Sequence, residues 1–201
     1  MDSPSLLLFD LGGVLIENST FESLNRLLRE PMEVTALRDR WLLSSAVRQF
    51  ELGAISPADF AEAFMAEWEI QLSSQAFLRE FLSWPRGFYA GARETIRDLR
   101  QRYRVACLSN SNVLHWEKFG GLENDFDIAL SSHQLGVIKP DDEAFLCAFR
   151  ACEVDPSMVY FFDDSSANVS TARRLGVRAF QVEGIAPLIH TLYVEGLLSP
   201  I

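Results

Sequence analysis

Cysteine is scarce in this chain of 201 residues, and the number of cysteines is odd. Cys107, Cys147 and Cys152 show no C-x-x-C spacing, so a complete disulfide framework is not expected. All three lie in apolar periodic segments, which favours buried free thiols in a reducing compartment. The fold is therefore expected to depend on its packed core.

Positive charge and long apolar runs are also limited. With 18 Lys and Arg against 28 Asp and Glu, the formal net charge is −10, which argues against a nucleic-acid or anionic-membrane surface. No apolar run reaches the roughly 18 residues of a membrane span, and the N-terminus lacks a signal-peptide pattern. We expect a soluble, cytoplasmic monomer or homodimer with no nucleic-acid or membrane partner.

Hydrophobic residues make up 48% of the chain, enough for a sizeable core. Leu6–Phe9 predicts a short buried strand. From about residue 18 to residue 84 the apolar spacing is helical, as at Phe60 and Phe64, behind a helix start with Ser56 as N-cap. We expect no strand in this stretch.

After residue 87, apolar strand-like segments alternate with helical ones. This alternation predicts an α/β fold with a Rossmann-like, doubly wound parallel sheet. The first strand belongs to that sheet, so the helical stretch is expected to be an all-helical insertion. The predicted division is a core of residues 1–16 and 87–201 and an insertion of residues 17–86.

Polar residues follow three of the predicted strands, and a lysine precedes a helix. They are Asp10, Ser109 with Asn110, Asp163 with Asp164, and Lys139. Ligands of open parallel sheets bind beyond the carboxyl ends of the strands, so we expect these groups to converge. Several carboxylates and a lysine in one cleft favour a bound cation and an anion together. Magnesium with a substrate phosphate meets that requirement.

Four segments make the prediction specific: FDLGGV, LSNSN, the lysine of VIKPDD, and FFDDSSAN. In this order they resemble the four motifs of the haloacid dehalogenase superfamily. ELGAIS, from Glu51 to Ser56, resembles a turn in the small α-helical cap of its sugar-phosphatase and epoxide-hydrolase N-terminal branches. The resemblance implies that the helical insertion is such a cap.

The resemblance also implies roles for single residues. Asp10 would be the nucleophile that forms an aspartyl phosphate. Asp10, the Gly12 carbonyl and Asp164 would bind Mg²⁺, and Asp163 would act through a water or orient the site.

The anion would be held by residues of the second and third motifs. Ser109 and Asn110 would bind the phosphoryl oxygens, helped by backbone N–H groups of residues 109–111. Lys139 would bridge Asp10 and the phosphate. The implied activity is hydrolysis of a small phosphorylated metabolite, with a sugar phosphate as one candidate.

Gly12 departs from the resemblance, because superfamily phosphatases usually have a second aspartate there as general acid and base. Three interpretations stay open: a phosphatase for good leaving groups, a 2-haloacid dehalogenase, or a weakly active protein that binds phosphate compounds. The acid pair Asp163 and Asp164 favours the phosphatase. Glu17 and His115 are candidate substitute acids.

Substrate specificity is expected to come from the cap and its borders. Candidates to reach substrate are Arg48, Gln49, Trp84, Phe88 and Tyr89. His133 and His190 show no partner in the sequence and are expected at the surface or in loops.

Overall fold

The computed structural model describes residues 3–198 of the chain. Within this range the strands are β1 (Leu6–Phe9), β2 (Ile16–Asn18), β3 (Pro85–Phe88), β4 (Arg104–Ser109), β5 (Ile128–Ser131), β6 (Val159–Asp163) and β7 (Arg178–Gln181). The helices are α1 (Thr20–Leu27), α2 (Val34–Leu43), α3 (Ser45–Glu51), α4 (Pro57–Trp68), α5 (Ser74–Ser83), α6 (Ala92–Leu99), α7 (Val113–Lys118), α8 (Leu122–Asp125), α9 (Ser132–Leu135), α10 (Asp142–Ala151), α11 (Ser166–Arg174) and α12 (Ile185–Val194). None of these helices has the length and apolarity needed to cross a bilayer.

Five strands form one parallel sheet in the order β5-β4-β1-β6-β7. Phe9 at the end of β1 lies beside Cys107 of β4 and Phe162 of β6. The carboxyl ends of these three strands therefore meet at one edge. The predicted Rossmann-like parallel sheet is confirmed.

Both faces of the sheet are covered by helices. Leu7 and Phe9 pack into a cluster with α6, α8 and α12. Leu6 and Leu8 point to the opposite face, where α10 and α11 cover them. Burying each such side chain contributes about 1.5–3 kcal/mol relative to exposure, so the two layers hold the sheet and its carboxyl edge in place.

A second core lies within the insertion, where helices α1–α5 pack around aromatic rings. The rings of Phe50 and Phe60 stack with centroids 4.2 Å apart. Helix α4 begins as predicted, because the Ser56 hydroxyl accepts from the Asp59 N–H and the Asp59 carboxylate reaches back in a capping box. The insertion is an all-helical cap with its own hydrophobic interior.

Two short strands join the cap to the core, and the prediction of no strand in this stretch was wrong at its first residue. Strands β2 and β3 pair antiparallel, with Ile16 opposite Phe88 and Glu17 opposite Gly87. Strands of three and four residues are too short to show a clear alternation in sequence. The pair lies at both predicted cap boundaries; the division into residues 1–16, 17–86 and 87–201 stays a prediction.

The three cysteines are free, and two of them are buried as expected. Cys147 was predicted to be buried but is only partly so. It lies on the outer side of α10, where its sulfur contacts Glu143 and Arg150. Helical spacing placed Cys147 in an apolar segment but did not identify which side of that helix faces solvent.

Candidate active site

Asp10 follows β1 directly and is held at the carboxyl edge of the sheet. Its backbone N–H donates to the Phe162 carbonyl (2.9 Å), which continues the β1–β6 pairing by one residue. The residue is 7% exposed. The polar residue that ends this apolar strand therefore lies at the base of a cavity of about 470 Å³ between core and cap.

Lys139 links two of the acids. Its Nζ donates to Asp10 Oδ1 and to Asp163 Oδ2, each at 2.7 Å, and its side chain is 1% exposed. The backbone of Lys139 is itself clamped by the Asn110 side chain, which accepts from the lysine N–H (3.0 Å) and donates to its carbonyl (2.8 Å). The second motif therefore positions the lysine of the third.

Asp163 and Asp164 have different surroundings. The Asp163 carboxylate is fully buried and accepts from Lys139, from the Asn168 amide (2.9 and 3.0 Å) and from the Ser165 N–H (2.8 Å). Asp164 instead lines the cavity. Asp163 is thus held by donors on several sides, whereas Asp164 borders the cavity that Asp10 also lines.

The three acids meet the chemical requirement of a hard divalent cation. One carboxylate oxygen each from Asp10, Asp163 and Asp164 lies within 4.8 Å of the others. Oxygen ligands of this kind suit Mg²⁺, which needs few protein ligands and keeps several waters.

The two glycines after Asp10 are under different constraints. Gly13 has φ +79°, and an added Cβ would lie 2.7 Å from Asp164 Oδ2, so this position requires glycine. A Cβ on Gly12 would make only an ordinary 3.5 Å contact with Asn18 Nδ2. The backbone hydrogen bonds between this turn and Ile16 use the Leu11 carbonyl and the Gly13 N–H. The Gly12 carbonyl takes no part in them.

The turn after β4 borders the same space. Asn110 lines the main cavity, whereas Ser109 lines an adjoining recess of about 60 Å³ that also reaches Gly12. The Ser111 N–H, expected to help bind phosphate, donates to the Ser132 hydroxyl (3.0 Å) instead. Its bond ties this turn to helix α9.

The buried charges affect one another strongly. Burial raises the pKa of Asp10; Lys139 offsets part of that rise, and the charges of Asp163 and Asp164 add to it. Burial and the Asp163 charge raise the pKa of Asp164 to about 6. Burial disfavours the charged form of Lys139, but Asp10 and Asp163 outweigh it and raise the lysine pKa. The site is short of positive charge, which a cation would supply.

Among the expected cap candidates, Arg48 lines the cavity, where its guanidinium pairs with Asp141 of the core. Trp84 is fully buried in the cap interior, and Phe88 and Tyr89 are partly buried against the hydrophobic cluster of the core. The Gln49 amide donates to Ser45 Oγ (2.9 Å) on its own helix. None of these other four lines the cavity.

Glu51, the last residue of α3, was noted in the sequence only as part of a turn. The structure places it in the cavity lining with Asp10 and Lys139. Burial and the Asp10 charge raise the pKa of Glu51 to about 7, against the opposing effect of Lys139. The signal in the sequence was an acidic residue at the end of a helix whose apolar residues pack into the cap. That signal does not show which residues elsewhere in the chain lie near the acid.

The remaining ionisable candidates have structural partners. His115 Nδ1 contacts the Asn112 amide (3.2 Å) and Nε2 contacts the Phe81 carbonyl (2.9 Å). Burial lowers the pKa of His115 to about 4, so the ring is neutral near pH 7. Glu17 pairs with Arg86 across the β2–β3 hinge.

The other two histidines differ from one another. His133, expected at the surface or in a loop, is half-buried in helix α9, where its Nδ1 contacts the Ser131 hydroxyl (2.6 Å). Ser131 is the N-cap position of α9, so its side chain lies only two residues from His133. His190 is exposed on α12, as expected.

A comparison with protein families decides the assignment. The model of haloacid dehalogenase-like hydrolases matches residues 4–176. The chain belongs to the haloacid dehalogenase-like hydrolases.

Curated relatives of this haloacid dehalogenase-like hydrolase include two phosphatases. A D-ribitol-5-phosphate phosphatase from Bacteroides thetaiotaomicron is 26% identical over 187 residues, covering 88% of this chain and 91% of the relative. A phosphoglycolate phosphatase from Pseudomonas putida is 30% identical over 192 residues, covering 87% and 68%. They bear out the prediction of a phosphoric monoester hydrolase of this family.

A solved structure shares the whole architecture. An enzyme of the same family from Bacteroides thetaiotaomicron, in complex with magnesium and inorganic phosphate, superposes with a TM-score of 0.74 at 25% identity. The match covers 90% of this chain and 95% of that one. The haloacid dehalogenase-like fold predicted from the four motifs is confirmed.

Proposed function

We propose that this chain hydrolyses small phosphate monoesters in a Mg²⁺-dependent reaction that passes through an aspartyl phosphate on Asp10. The observation that carries the proposal is the convergence of Asp10, Asp163, Asp164 and Lys139 at one edge of the sheet, beside the cavity. The family and the phosphatase relatives support it.

The oxygen atoms around the site would have two roles, binding of the metal and positioning of the other side chains. Asp10, Asp164 and the Gly12 carbonyl would hold Mg²⁺, while Asp163, bonded to Lys139 and Asn168, would keep the site in shape. When bound, Mg²⁺ neutralises negative charge and polarises phosphoryl oxygens.

The residues of the core perform the covalent chemistry. A carboxylate oxygen of Asp10 attacks phosphorus, the bond to the leaving oxygen breaks, and water later hydrolyses the acyl phosphate. Lys139, bonded to Asp10 Oδ1 at 2.7 Å, orients the nucleophile and stabilises negative charge that develops on the phosphoryl group.

Phosphate binding draws on the turn after β4. The Ser109 hydroxyl and the second hydrogen of the Asn110 amide are the proposed donors, since the first amide hydrogen is engaged by Lys139 O. The Ser111 N–H is bonded to Ser132 and is therefore not assigned to phosphate.

The cap side of the cavity favours an uncharged, hydroxyl-bearing leaving group. Arg48 is paired there with Asp141, so its charge is already engaged and is not free to bind a carboxylate on the substrate. The polar side chains of Thr20 and Ser44 also line the wall. We therefore place polyol and sugar phosphates ahead of phosphoglycolate as substrates.

A substrate panel tests the proposal. Phosphate release is measured for ribitol 5-phosphate, sugar phosphates, phosphoglycolate and p-nitrophenyl phosphate, with Mg²⁺ and with EDTA, and halide release for 2-chloropropionate. We expect Mg²⁺-dependent phosphate release, fastest with neutral polyol or sugar phosphates. Metal-independent halide release would instead identify a dehalogenase, and phosphate binding without turnover a binding protein.

The nucleophile is tested by Asp10→Asn, which should lower turnover by at least about 10³-fold because an amide neither attacks phosphorus nor binds metal well. Asp98→Asn, at an exposed position on α6, is the matched control and should leave turnover unchanged. A pure, folded Asp10→Asn protein with wild-type activity would show that another residue is the nucleophile.

The wider expectations of the sequence stay predictions. They are the cytoplasmic location, the absence of nucleic-acid and membrane partners, and the choice between monomer and homodimer.

A further inference from the structure

Gly12 leaves the proposed phosphatase without an acid beside its nucleophile. Alkoxide leaving groups need a proton as the bond to phosphorus breaks, and such general acid catalysis typically contributes about 10²–10⁴-fold in rate. The titratable side chains that line the cavity within residues 3–198 are Asp10, Arg48, Glu51, His115, Lys139, Asp141 and Asp164. A proton donor in the cavity wall would be one of these seven side chains.

Most of these side chains already form a hydrogen bond or an ion pair with another group. Asp10 and Lys139 bond each other, and Arg48 pairs with Asp141. Both ring nitrogens of His115 are occupied, one by a backbone carbonyl and one by an amide.

Two acids remain, Asp164 and Glu51. Asp164 belongs to the three-carboxylate cluster that the proposed function assigns to the metal. Within residues 3–198, no side chain forms a hydrogen bond or ion pair with the Glu51 carboxylate.

The position of Glu51 is set by contacts between cap and core. Its backbone carbonyl lies 2.6 Å from the Ser132 hydroxyl, which also accepts from the Ser111 N–H at 3.0 Å. Two residues on, Gly53 packs so closely that an added Cβ would lie 2.5 Å from the His133 carbonyl. One serine therefore ties the backbone of Glu51 to the turn that borders the phosphate site.

We infer that Glu51 is the general acid and base of this enzyme, reaching from the cap to do what a side chain at position 12 does elsewhere in the family. The inference rests on the proposed function. It gives the cap a role in the chemical steps as well as in specificity.

Glu51 would give up a proton in the first step and take one back in the second. As Asp10 attacks phosphorus, the electron pair of the breaking bond goes to the leaving oxygen, which takes the carboxyl proton of Glu51. The alcohol departs and Glu51 is left as carboxylate. Water then attacks phosphorus, Glu51 accepts its proton, the bond to Asp10 breaks, and inorganic phosphate leaves.

The surroundings of Glu51 suit both roles. Burial and the nearby Asp10 charge raise the pKa of Glu51 to about 7, so both protonation states are accessible near neutral pH. Glu51, at the end of α3, lines the same cavity as Asp10.

Glu51→Gln tests the inference because the amide keeps the shape and loses the proton. We expect kcat/KM for alkyl phosphates to fall by about 10²–10³-fold. For p-nitrophenyl phosphate, kcat/KM should change by less than about threefold, because that leaving group needs little protonation. Glu62→Gln, at an exposed position on α4, is the matched control and should behave as wild type.

A second measurement covers the hydrolytic step. With p-nitrophenyl phosphate, Glu51→Gln should show a burst of about one equivalent of nitrophenolate before slow turnover, because loss of the base delays hydrolysis of the aspartyl phosphate. Equal losses of kcat/KM for both substrate classes, or no loss, would overturn the inference while the phosphatase assignment stands. If wild-type protein hydrolyses no phosphate ester, the proposed function fails and the inference fails with it.

Discussion

At the scale of single residues, position 12 shows how a missing side chain defines a site. Gly13 must be glycine because of its positive φ and its approach to Asp164, whereas Gly12 has room for a Cβ. Backbone geometry therefore does not require glycine at position 12. An acid placed there should be tolerated.

Gly12→Asp should restore activity to Glu51→Gln. In that background we expect kcat/KM for alkyl phosphates to recover about tenfold or more, within the 10²–10⁴-fold ceiling of general acid catalysis. In wild-type protein the gain should be small, since Glu51 already supplies the proton. Gly12→Asn, matched in size but without an acid, should rescue nothing; equal rescue by both variants would show that the effect is steric.

At the scale of secondary-structure elements, the contact between the end of α3 and helix α9 sets the position of the cap over the core. Gly53 has φ +70°, and a Cβ added there would lie 2.5 Å from the His133 carbonyl oxygen, which leaves no room for a methyl group. Gly136 at the end of α9 has a similar φ of +68°, but an added Cβ there would meet nothing within 4 Å. Substitutions at Gly53 and Gly136 should therefore share the cost of a left-handed backbone, and only the one at Gly53 should disturb the contact between cap and core.

Gly53→Ala should destabilise the protein more than Gly136→Ala. Both substitutions force a left-handed residue, at about 1–2 kcal/mol, and Gly53→Ala adds overpacking of about 1–3 kcal/mol. Denaturant unfolding measures the difference. Gly53→Ala should also lower kcat/KM for alkyl phosphates by displacing Glu51, while Gly136→Ala should not. Equal effects of the two substitutions on both stability and activity would contradict tight docking at Gly53.

At the scale of the whole molecule, the acid cluster couples folding to metal and to pH. Three carboxylates share one buried edge of the sheet with a single lysine. Mutual repulsion and burial oppose their ionisation without a cation. A ligand that binds only the folded state stabilises it by about 2.7 kcal/mol at one hundred times its Kd.

Mg²⁺ should therefore raise the melting temperature by roughly 5–10 °C at saturating concentration. The pKa of Asp164 is raised to about 6 and that of Asp10 is raised as well, so protons compete with the metal at low pH. The stabilisation should grow from pH 5 to pH 8. Scanning calorimetry with MgCl₂, against NaCl of equal ionic strength, measures it, and Asp164→Asn should remove most of it. A shift that persists in Asp164→Asn would place the metal elsewhere.

The sequence alone determined the features that depend on local order. Apolar runs marked β1, β4 and β6, and polar residues marked their carboxyl ends, because side chains buried between two helical layers must be apolar while those beyond the strand need not be. Ser56 and Pro57 predicted the start of α4 through local capping chemistry. Such signals span only a few residues and can be recognised without knowing the fold.

Only the tertiary structure decided which distant groups meet. Glu51 and Ser132 are 81 residues apart, yet one hydroxyl ties them together and takes up the Ser111 N–H that was expected to bind phosphate. Trp84, an expected substrate contact, is buried in the cap interior. Periodicity defines the faces of a helix, but the packing of whole elements decides what each face touches. That Glu51 of the cap lines the same cavity as Asp10 could therefore be found only once the cap was seated on the core.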